Sequence, residues 1–255
     1  MEMQEMINRI FLGDCLQIMK DIPNKSIDMV LCDLPYGTTK NQWDSIIPLD
    51  KLWEQYNRII KDDGAIVLFG QQPFTSMLVM SNPKMFKYEW IWEKENGTGF
   101  LNANHAPLKI HENILVFGKG ATSPTKKSVS MTYNPQKTKS KPYTAVQGYS
   151  GNNYSPTVGN VTVSDGMRFP TDILRFCRDK EKYHSTQKPV ALLQYLIRTY
   201  TNEGDLVLDN TCGSGSTCVA AIREKRNFIG IELNQEYYKI ACDRIAREKQ
   251  YLTLF

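Results

Sequence analysis

The run Ile-Asp-Met-Val-Leu-Cys at 27–32 is almost unbroken apolar sequence, and a strand of that kind needs cover on both faces. It stops at Asp33-Leu34-Pro35-Tyr36-Gly37, where proline and glycine break the extended chain. Residues 65–69, 206–208 and 228–231 read as further strands, with the first two as buried as the opening run. Between them the pattern predicts helices over 49–60, 73–80, 191–200, 218–224 and 235–248, the last amphipathic. The first carries apolar residues at Leu52, Trp53, Tyr56, Ile59 and Ile60 and is closed by Lys61-Asp62-Asp63-Gly64. An apolar run at 9–12 ends at Gly13-Asp14 and leads into a helix-like stretch to Asp21, while 88–92 and 114–117 read as two more strands. Strands that alternate with helices specify an α/β fold, a parallel-rich sheet with helices on both faces.

At 255 residues the chain is long enough for one large domain with an insertion, or for two small ones. With 41% hydrophobic and 23% charged residues it is neither disordered nor a disulfide-stapled miniprotein. No apolar run approaches the ~20 residues of a membrane helix. Residues 1–9 carry acids and no apolar core, so no secretory leader is expected. The six cysteines lack C-x-x-C spacing and the three histidines lack an i, i+4 pair. Zinc, or any metal, is therefore not expected, and reduced thiols of a cytoplasmic protein are.

The net charge of +4 hides an asymmetry. Residues 113–164 contain six lysines (119, 126, 127, 137, 139 and 141) and no acid, which leaves −2 for the remainder. From 118 to about 164 the chain is rich in Pro, Gly, Ser, Thr, Asn and Lys, with Tyr133, Tyr143, Tyr149 and Tyr154 interspersed. This reads as an irregular insertion suited to a polyanion, or as a solvated loop kept soluble by its lysines.

Two constellations carry chemistry. After the strand at 206–208 come Asp209, the turn Gly213-Ser214-Gly215, a helix, a strand and then Glu232, 17 residues beyond Gly215. Glycine lets the backbone pass close to a ligand at a helix N-terminus, and an acid ending the next strand can accept from both hydroxyls of a ribose. The same letters would also serve a turn that merely packs helix on strand. The second is Asp33-Leu34-Pro35-Tyr36 at the end of a buried strand. A carboxylate beside the carbonyl of Leu34 or Pro35 offers two acceptors to an exocyclic amino group, and Tyr36 offers a flat face to a base. A bare tetrapeptide of this kind can equally be an ordinary turn.

Together these residues resemble the amino-group DNA methyltransferases that use S-adenosylmethionine. Asp33-Leu34-Pro35-Tyr36 is similar to their Asp/Asn/Ser-Pro-Pro-aromatic signature, and Thr211-Cys212-Gly213-Ser214-Gly215 to their Phe-x-Gly-x-Gly signature. His184-Ser185-Thr186-Gln187-Lys188-Pro189 resembles the His-Pro-Thr-Gln-Lys-Pro block of one subclass, and Gly13-Asp14-Cys15 the segment that meets the cofactor adenine. Catalytic motif, basic insertion, Lys-Pro block and cofactor motif follow in the order of the β subclass. The likeness spans residues 9–248 apart from the insertion. Leu34 and Ser185 stand where the family has proline and Thr211 where it has phenylalanine; none of these removes a group the chemistry needs.

The resemblance implies a Rossmann-like, circularly permuted sheet of about seven mostly parallel strands. It divides the chain into a catalytic half (1–117), a target-recognition insertion (118–170) and a cofactor-binding half (171–255). It makes Asp33, Pro35 and Tyr36 catalytic. It places Glu232 on the cofactor ribose, Asp14 and the Cys15 backbone at its adenine, Gly213 and Gly215 beneath its methionine part, and Asp33 near its amino group. Asp209, Asn210, Thr211 and Thr217 join the same pocket. So do His184 and Lys188, for which a structural histidine and a surface charge are the alternatives.

Lys126, Lys127, Lys137, Lys139 and Lys141 would meet the phosphates of double-stranded DNA, with tyrosines reading bases. Trp43 would close over the base or anchor packing, and residues 96–104 would line the DNA face or simply connect two strands. The implied reaction is methyl transfer to N6 of a flipped adenine, since an acid at position 33 points to adenine and a serine would be more typical of N4-cytosine enzymes. Direct transfer needs no nucleophilic thiol, so Cys32 and Cys212 read as small buried residues. The alternatives are N4-cytosine methylation, a nicotinamide-dependent oxidoreductase, and a non-catalytic nucleic-acid-binding module. A homodimer is in keeping with the resemblance.

Overall fold

The computed structural model describes residues 2–37, 46–123, 129–146, 161–181, 183 and 187–253. In chain order its strands are β1 (Arg9–Leu12), β2 (Ile27–Cys32), β3 (Ile60–Gly70), β4 (Phe86–Thr98), β5 (Lys109–Gly118), β6 (Thr138–Lys139), β7 (Tyr143–Val146), β8 (Val161–Ser164), β9 (Met167–Arg168), β10 (Ile173–Arg175), β11 (Leu206–Asp209) and β12 (Asn227–Glu232). The helices are α1 (Met3–Met6), α2 (Cys15–Ile18), α3 (Leu49–Ile59), α4 (Phe74–Ser81), α5 (Val190–Tyr200), α6 (Ser216–Arg223) and α7 (Gln235–Thr253). Two units result: Met1–Asn134 with Asp172–Phe255, and Pro135–Thr171.

The first unit is built on an eight-stranded sheet of order β1-β12-β11-β2-β3-β5-β4-β10. Strand pairs are parallel except β3 with β5 and β5 with β4. The period-2 alternation of strand side chains divides the core into two layers. Met29, Leu31, Ala65, Val67 and Phe69 face Leu193, Leu196, Ala220 and Ala241 of α5, α6 and α7. Val30, Cys32, Ile66 and Leu68 face Leu52, Tyr56, Phe74 and Leu78 of α3 and α4. This is the cover that the unbroken apolar strands require.

The centre of the sheet positions the site. β2 and β11 lie side by side, Val207 opposite Met29 and Leu208 opposite Val30. From β2 the chain crosses through α3 to β3 on one side, and from β11 it crosses through α6 to β12 on the other. Strand order therefore reverses between them, and at such a switch point the carboxyl ends of the two strands open a crevice.

The structure differs from the sequence reading in several places. The sheet has eight strands, because the three residues of β10 pair with β4 at the edge and are too short to show a pattern. Lys61–Gly64 belong to β3 as a bulge: Ile60 pairs with Ile27, pairing resumes at Ala65 with Met29, and the Lys61 ammonium lies 2.5 Å from Asp28 Oδ1. β4 and β5 run well past 92 and begin well before 114, so Asn96 to Thr98 are strand rather than connection. Their exposed ends lack the apolar alternation from which strands are read.

The second unit, Pro135–Thr171, is not wholly irregular. It holds two antiparallel ribbons, β6 with β9 and β7 with β8. Residues 118–123 and 129–134 belong to the first unit instead, where Met131 is buried and Asn134 N donates to the Thr199 carbonyl at 2.7 Å. Among the described residues no helix is long and apolar enough to cross a membrane, and no cluster of three or more His, Cys, Asp or Glu could hold a metal ion.

Candidate active site

Asp33 follows β2 and Thr211 follows β11, and the switch point sets them side by side. The Thr211 hydroxyl donates to the Asp33 carbonyl oxygen (3.0 Å), and Cys32 Sγ lies 2.9 Å from the same hydroxyl. Above them is a cavity of about 480 Å³, within the usual range for small-molecule sites. Asp33, Pro35 and Tyr36 line it from one strand end; Asp209, Asn210, Thr211, Gly213 and Thr217 line it from another. Asp14, Cys15, Lys188 and Glu232 complete the set. The sheet thus brings together residues from both ends of the chain.

Both oxygens of Asp33 are engaged. Tyr36 donates its hydroxyl to Oδ1 (2.6 Å), and Lys188 places its ammonium 2.5 Å from Oδ2. The Tyr36 ring packs 5.1 Å from Phe74, and burial, then the nearby Asp33 charge, pushes its phenol pKa well up, so it stays protonated. Lys188 is only 7% exposed, which removes the surface-charge alternative. Burial works against its charge, yet the carboxylates of Asp33 and Glu112 raise its pKa above the lysine value.

Glu232 ends β12 with its two oxygens fixed by backbone donors, Gly213 N at 2.8 Å and Asn234 N at 2.7 Å. Among the described residues no cation pairs with it, and burial raises its pKa. Asp209 is more deeply buried, and that burial lifts its pKa to about 7 against the hydrogen bonds from Thr217 and the Thr211 backbone. Asn210 accepts from Tyr56 (2.6 Å). Asp14 caps α2, accepting from Gln17 N at 3.1 Å. Cys32 and Cys212 are both buried, and their thiol pKa values are pushed well up, in Cys32 by burial and in Cys212 by the hydrogen bond with Cys218 and by burial.

Gly215 does not line the cavity. Its φ is +80°, and a Cβ there would lie 3.0 Å from the Ala241 Cβ of α7, so its smallness serves helix packing. Gly213, with φ +51° and open space around it, is the glycine of this turn that lines the cavity. Lys119, within the basic window, bonds the Ile60 carbonyl (3.1 Å) at the start of β3, the opposite edge of the sheet. Lys137, Lys139 and Lys141 belong to the second unit, where Lys137 lies over the Phe169 ring at 4.2 Å and Arg168 over Tyr143 at 4.5 Å. Trp43, Lys126, Lys127 and His184 fall outside the described residues.

Sequence reasoning missed Glu112, Lys94 and Gln71. Glu112 Oε1 accepts from Lys94 and, at 3.0 Å, from Gln71, while Oε2 lies 3.2 Å from Lys188. Burial works to raise the Glu112 pKa, and the ammonium groups of Lys188 and Lys94 overcome it and bring it to about 2. One signal was present: Glu112, Ile114 and Val116 alternate on a single strand face, so an acid sits among core residues and needs a cation.

The family model described as DNA methylase matches residues 27–243. The chain is 30% identical over 258 residues to the DNA adenine methyltransferase YhdJ of Escherichia coli (strain K12), covering 95% of this chain and 84% of that one. It is 28% identical to the Type II methyltransferase M.HinfI of Haemophilus influenzae, covering 96% and 70%. Among solved structures the fold is shared with the M1.HpyAVI–SAM complex, at a TM-score of 0.59 and 23% identity over 92% of this chain and 98% of that one.

Proposed function

The chain belongs to the family of DNA methylases that modify N6 or N4 amino groups, and from that footing we propose that it methylates N6 of an adenine flipped out of double-stranded DNA at a specific site. The observation that carries the reading is a single cavity in which Asp33, Pro35 and Tyr36 meet Gly213 and Glu232.

The residues fit S-adenosylmethionine. Glu232 is a buried carboxylate, held in place by two backbone N–H groups and unpaired with any cation among the described residues, as an acceptor for paired ribose hydroxyls would be. Gly213 leaves open space under the turn, and Leu16 and Leu233 give the same cavity apolar walls. Glu232, Asp14, the Cys15 backbone and Gly213 would hold the cofactor, which supplies an electrophilic sulfonium methyl group.

The rest is work for the chain's own side chains. An adenine amino nitrogen is a poor nucleophile because its lone pair is conjugated with the ring. The Asp33 carboxylate and the Pro35 carbonyl accept from its two N–H groups, hold it towards tetrahedral geometry and free the lone pair. Tyr36 replaces part of the stacking lost when the base leaves the duplex. Most of the catalysis is then positioning. Lys137, Lys139 and Lys141 contact phosphates and contribute affinity that is blind to sequence.

Expression in methylation-free bacteria, followed by sequencing sensitive to base modification, tests this. N6-methyladenine at one short site, lost in Asp33→Ala, is expected. Unmodified DNA from the wild-type chain, or undiminished methylation by Asp33→Ala, overturns the reading, and N4-methylcytosine transfers it to the other base.

A further inference from the structure

Lys188 is suspended between two carboxylates. Its ammonium is 2.5 Å from Asp33 Oδ2 and 3.2 Å from Glu112 Oε2, with the Phe69 ring 5.1 Å away. Glu112 is anchored through its other oxygen by Lys94 and Gln71. Its Oε2 is buried and, among the described residues, accepts no hydrogen bond. The Lys188 ammonium, 3.2 Å away, is its ion-pair partner without forming the well-aligned hydrogen bond that a buried carboxylate oxygen calls for. Asp33 presents the opposite case: Tyr36 takes one oxygen and Lys188 the other, so an arriving amino group must share an oxygen that already accepts a bond.

We propose that Lys188 is a positioning residue that changes acceptors, capping Asp33 Oδ2 until the target amino group arrives and then transferring its hydrogen bond to Glu112 Oε2. The inference rests on Asp33 being the acceptor of the target amino group. The lysine stem rotates freely enough for a shift of this size. Lys188 stays paired throughout, so no bare charge is left in the cavity. Lys94, Lys188, Glu112 and Asp33 sum to zero, and a neutral amino group leaves that sum unchanged. The other titratable groups facing Asp33 are Tyr36, Cys32 and Asp209. None of them is a cation, so Lys188 is the cation that faces Asp33 among the described residues.

The test uses the full chain with cofactor and DNA, in the variants Glu112→Gln, Lys188→Met and the two combined. Single-turnover rates are followed against pH, and cofactor affinity by calorimetry. Glu112→Gln deprives Lys188 of its anionic second acceptor. The rate should fall about tenfold or more, the worth of a charge-assisted hydrogen bond, with cofactor affinity unchanged. Lys188→Met removes the cation beside Asp33, so the acid limb of the profile should move up. A merely structural lysine would lower the rate without moving that limb.

The double variant should be no slower than Lys188→Met alone, since Glu112 acts through Lys188. An unmoved acid limb, an unchanged rate in Glu112→Gln, or losses that multiply in the double variant would each overturn the proposal. If Lys188→Met does not fold, the Glu112→Gln rate and cofactor affinity still decide it. Activity retained by Asp33→Ala would instead overturn the proposed function itself, so the two failures are distinguishable.

Discussion

The Thr211 hydroxyl donates a 3.0 Å hydrogen bond to the Asp33 carbonyl oxygen, across 178 residues of sequence. It joins the turn proposed for the cofactor to the turn proposed for the target base, where the family signature has a phenylalanine that could form no such bond. Thr211→Val keeps the shape and removes the donor. The variant should lose about 1 kcal/mol of stability in denaturant unfolding, and its methylation rate should fall more than its cofactor affinity. Equal losses in both would show that the bond does not align the two turns.

Glu232→Gln should weaken S-adenosylmethionine binding about tenfold, the effect of making a charged acceptor neutral, while circular dichroism stays unchanged. Burial raises the Glu232 pKa, and the carboxylate is the better acceptor. Affinity should therefore decline as pH falls through that raised pKa in the wild type and stay flat in the variant. Calorimetric titration at several pH values measures it.

Asp209 has a pKa of about 7 against an ordinary 3.8, chiefly because it is buried. Across that interval the folded chain keeps a proton that the unfolded chain has released. Its contribution to stability is therefore present at low pH and is lost as pH rises through about 7. Asp209→Asn carries no such proton, so the variant should gain on the wild type between about pH 4 and pH 7, by up to about 4 kcal/mol. Equal Tm differences at the two ends of that range would contradict the assignment.

The two glycines of the turn should fail differently. Gly215→Ala forces a Cβ to 3.0 Å from Ala241 at φ +80°, and should cost more than the ~1 kcal/mol of the backbone strain alone. Gly213→Ala, at φ +51° in open space, should cost about that strain and should chiefly impair cofactor binding. Unfolding and cofactor titration of both variants separate the effects.

If Lys137, Lys139 and Lys141 meet phosphates, replacing all three with alanine should reduce the slope of log affinity against log salt by about 3. Affinity should fall alike for DNA with and without the recognised site. Fluorescence anisotropy across a salt series reads both.

Much of the site was legible because its signals are local. Asp33 to Tyr36, Gly213 and Glu232 sit at the ends of apolar runs, and the end of a buried strand is where an α/β sheet exposes its functional groups. Gly215 misled for the same reason: its neighbours in sequence describe a turn, whereas its actual constraint is a methyl group on α7. Lys188 was found by its motif, but its partner Glu112 was not, since it belongs to a strand 76 residues away.

The amino-acid order alone determined the central strands and the helices that pack on them, that the sheet is covered on both faces, and which residues terminate β2, β11 and β12. Those properties follow from periodicity and from proline and glycine, which act over a few residues. Tertiary structure decided the bulge in β3, the edge pairing of β10 and the chain of charge from Lys94 through Glu112 and Lys188 to Asp33. A buried charge takes whichever opposite charge the packing of distant elements sets beside it, and that choice is made only when the sheet and its helices close together.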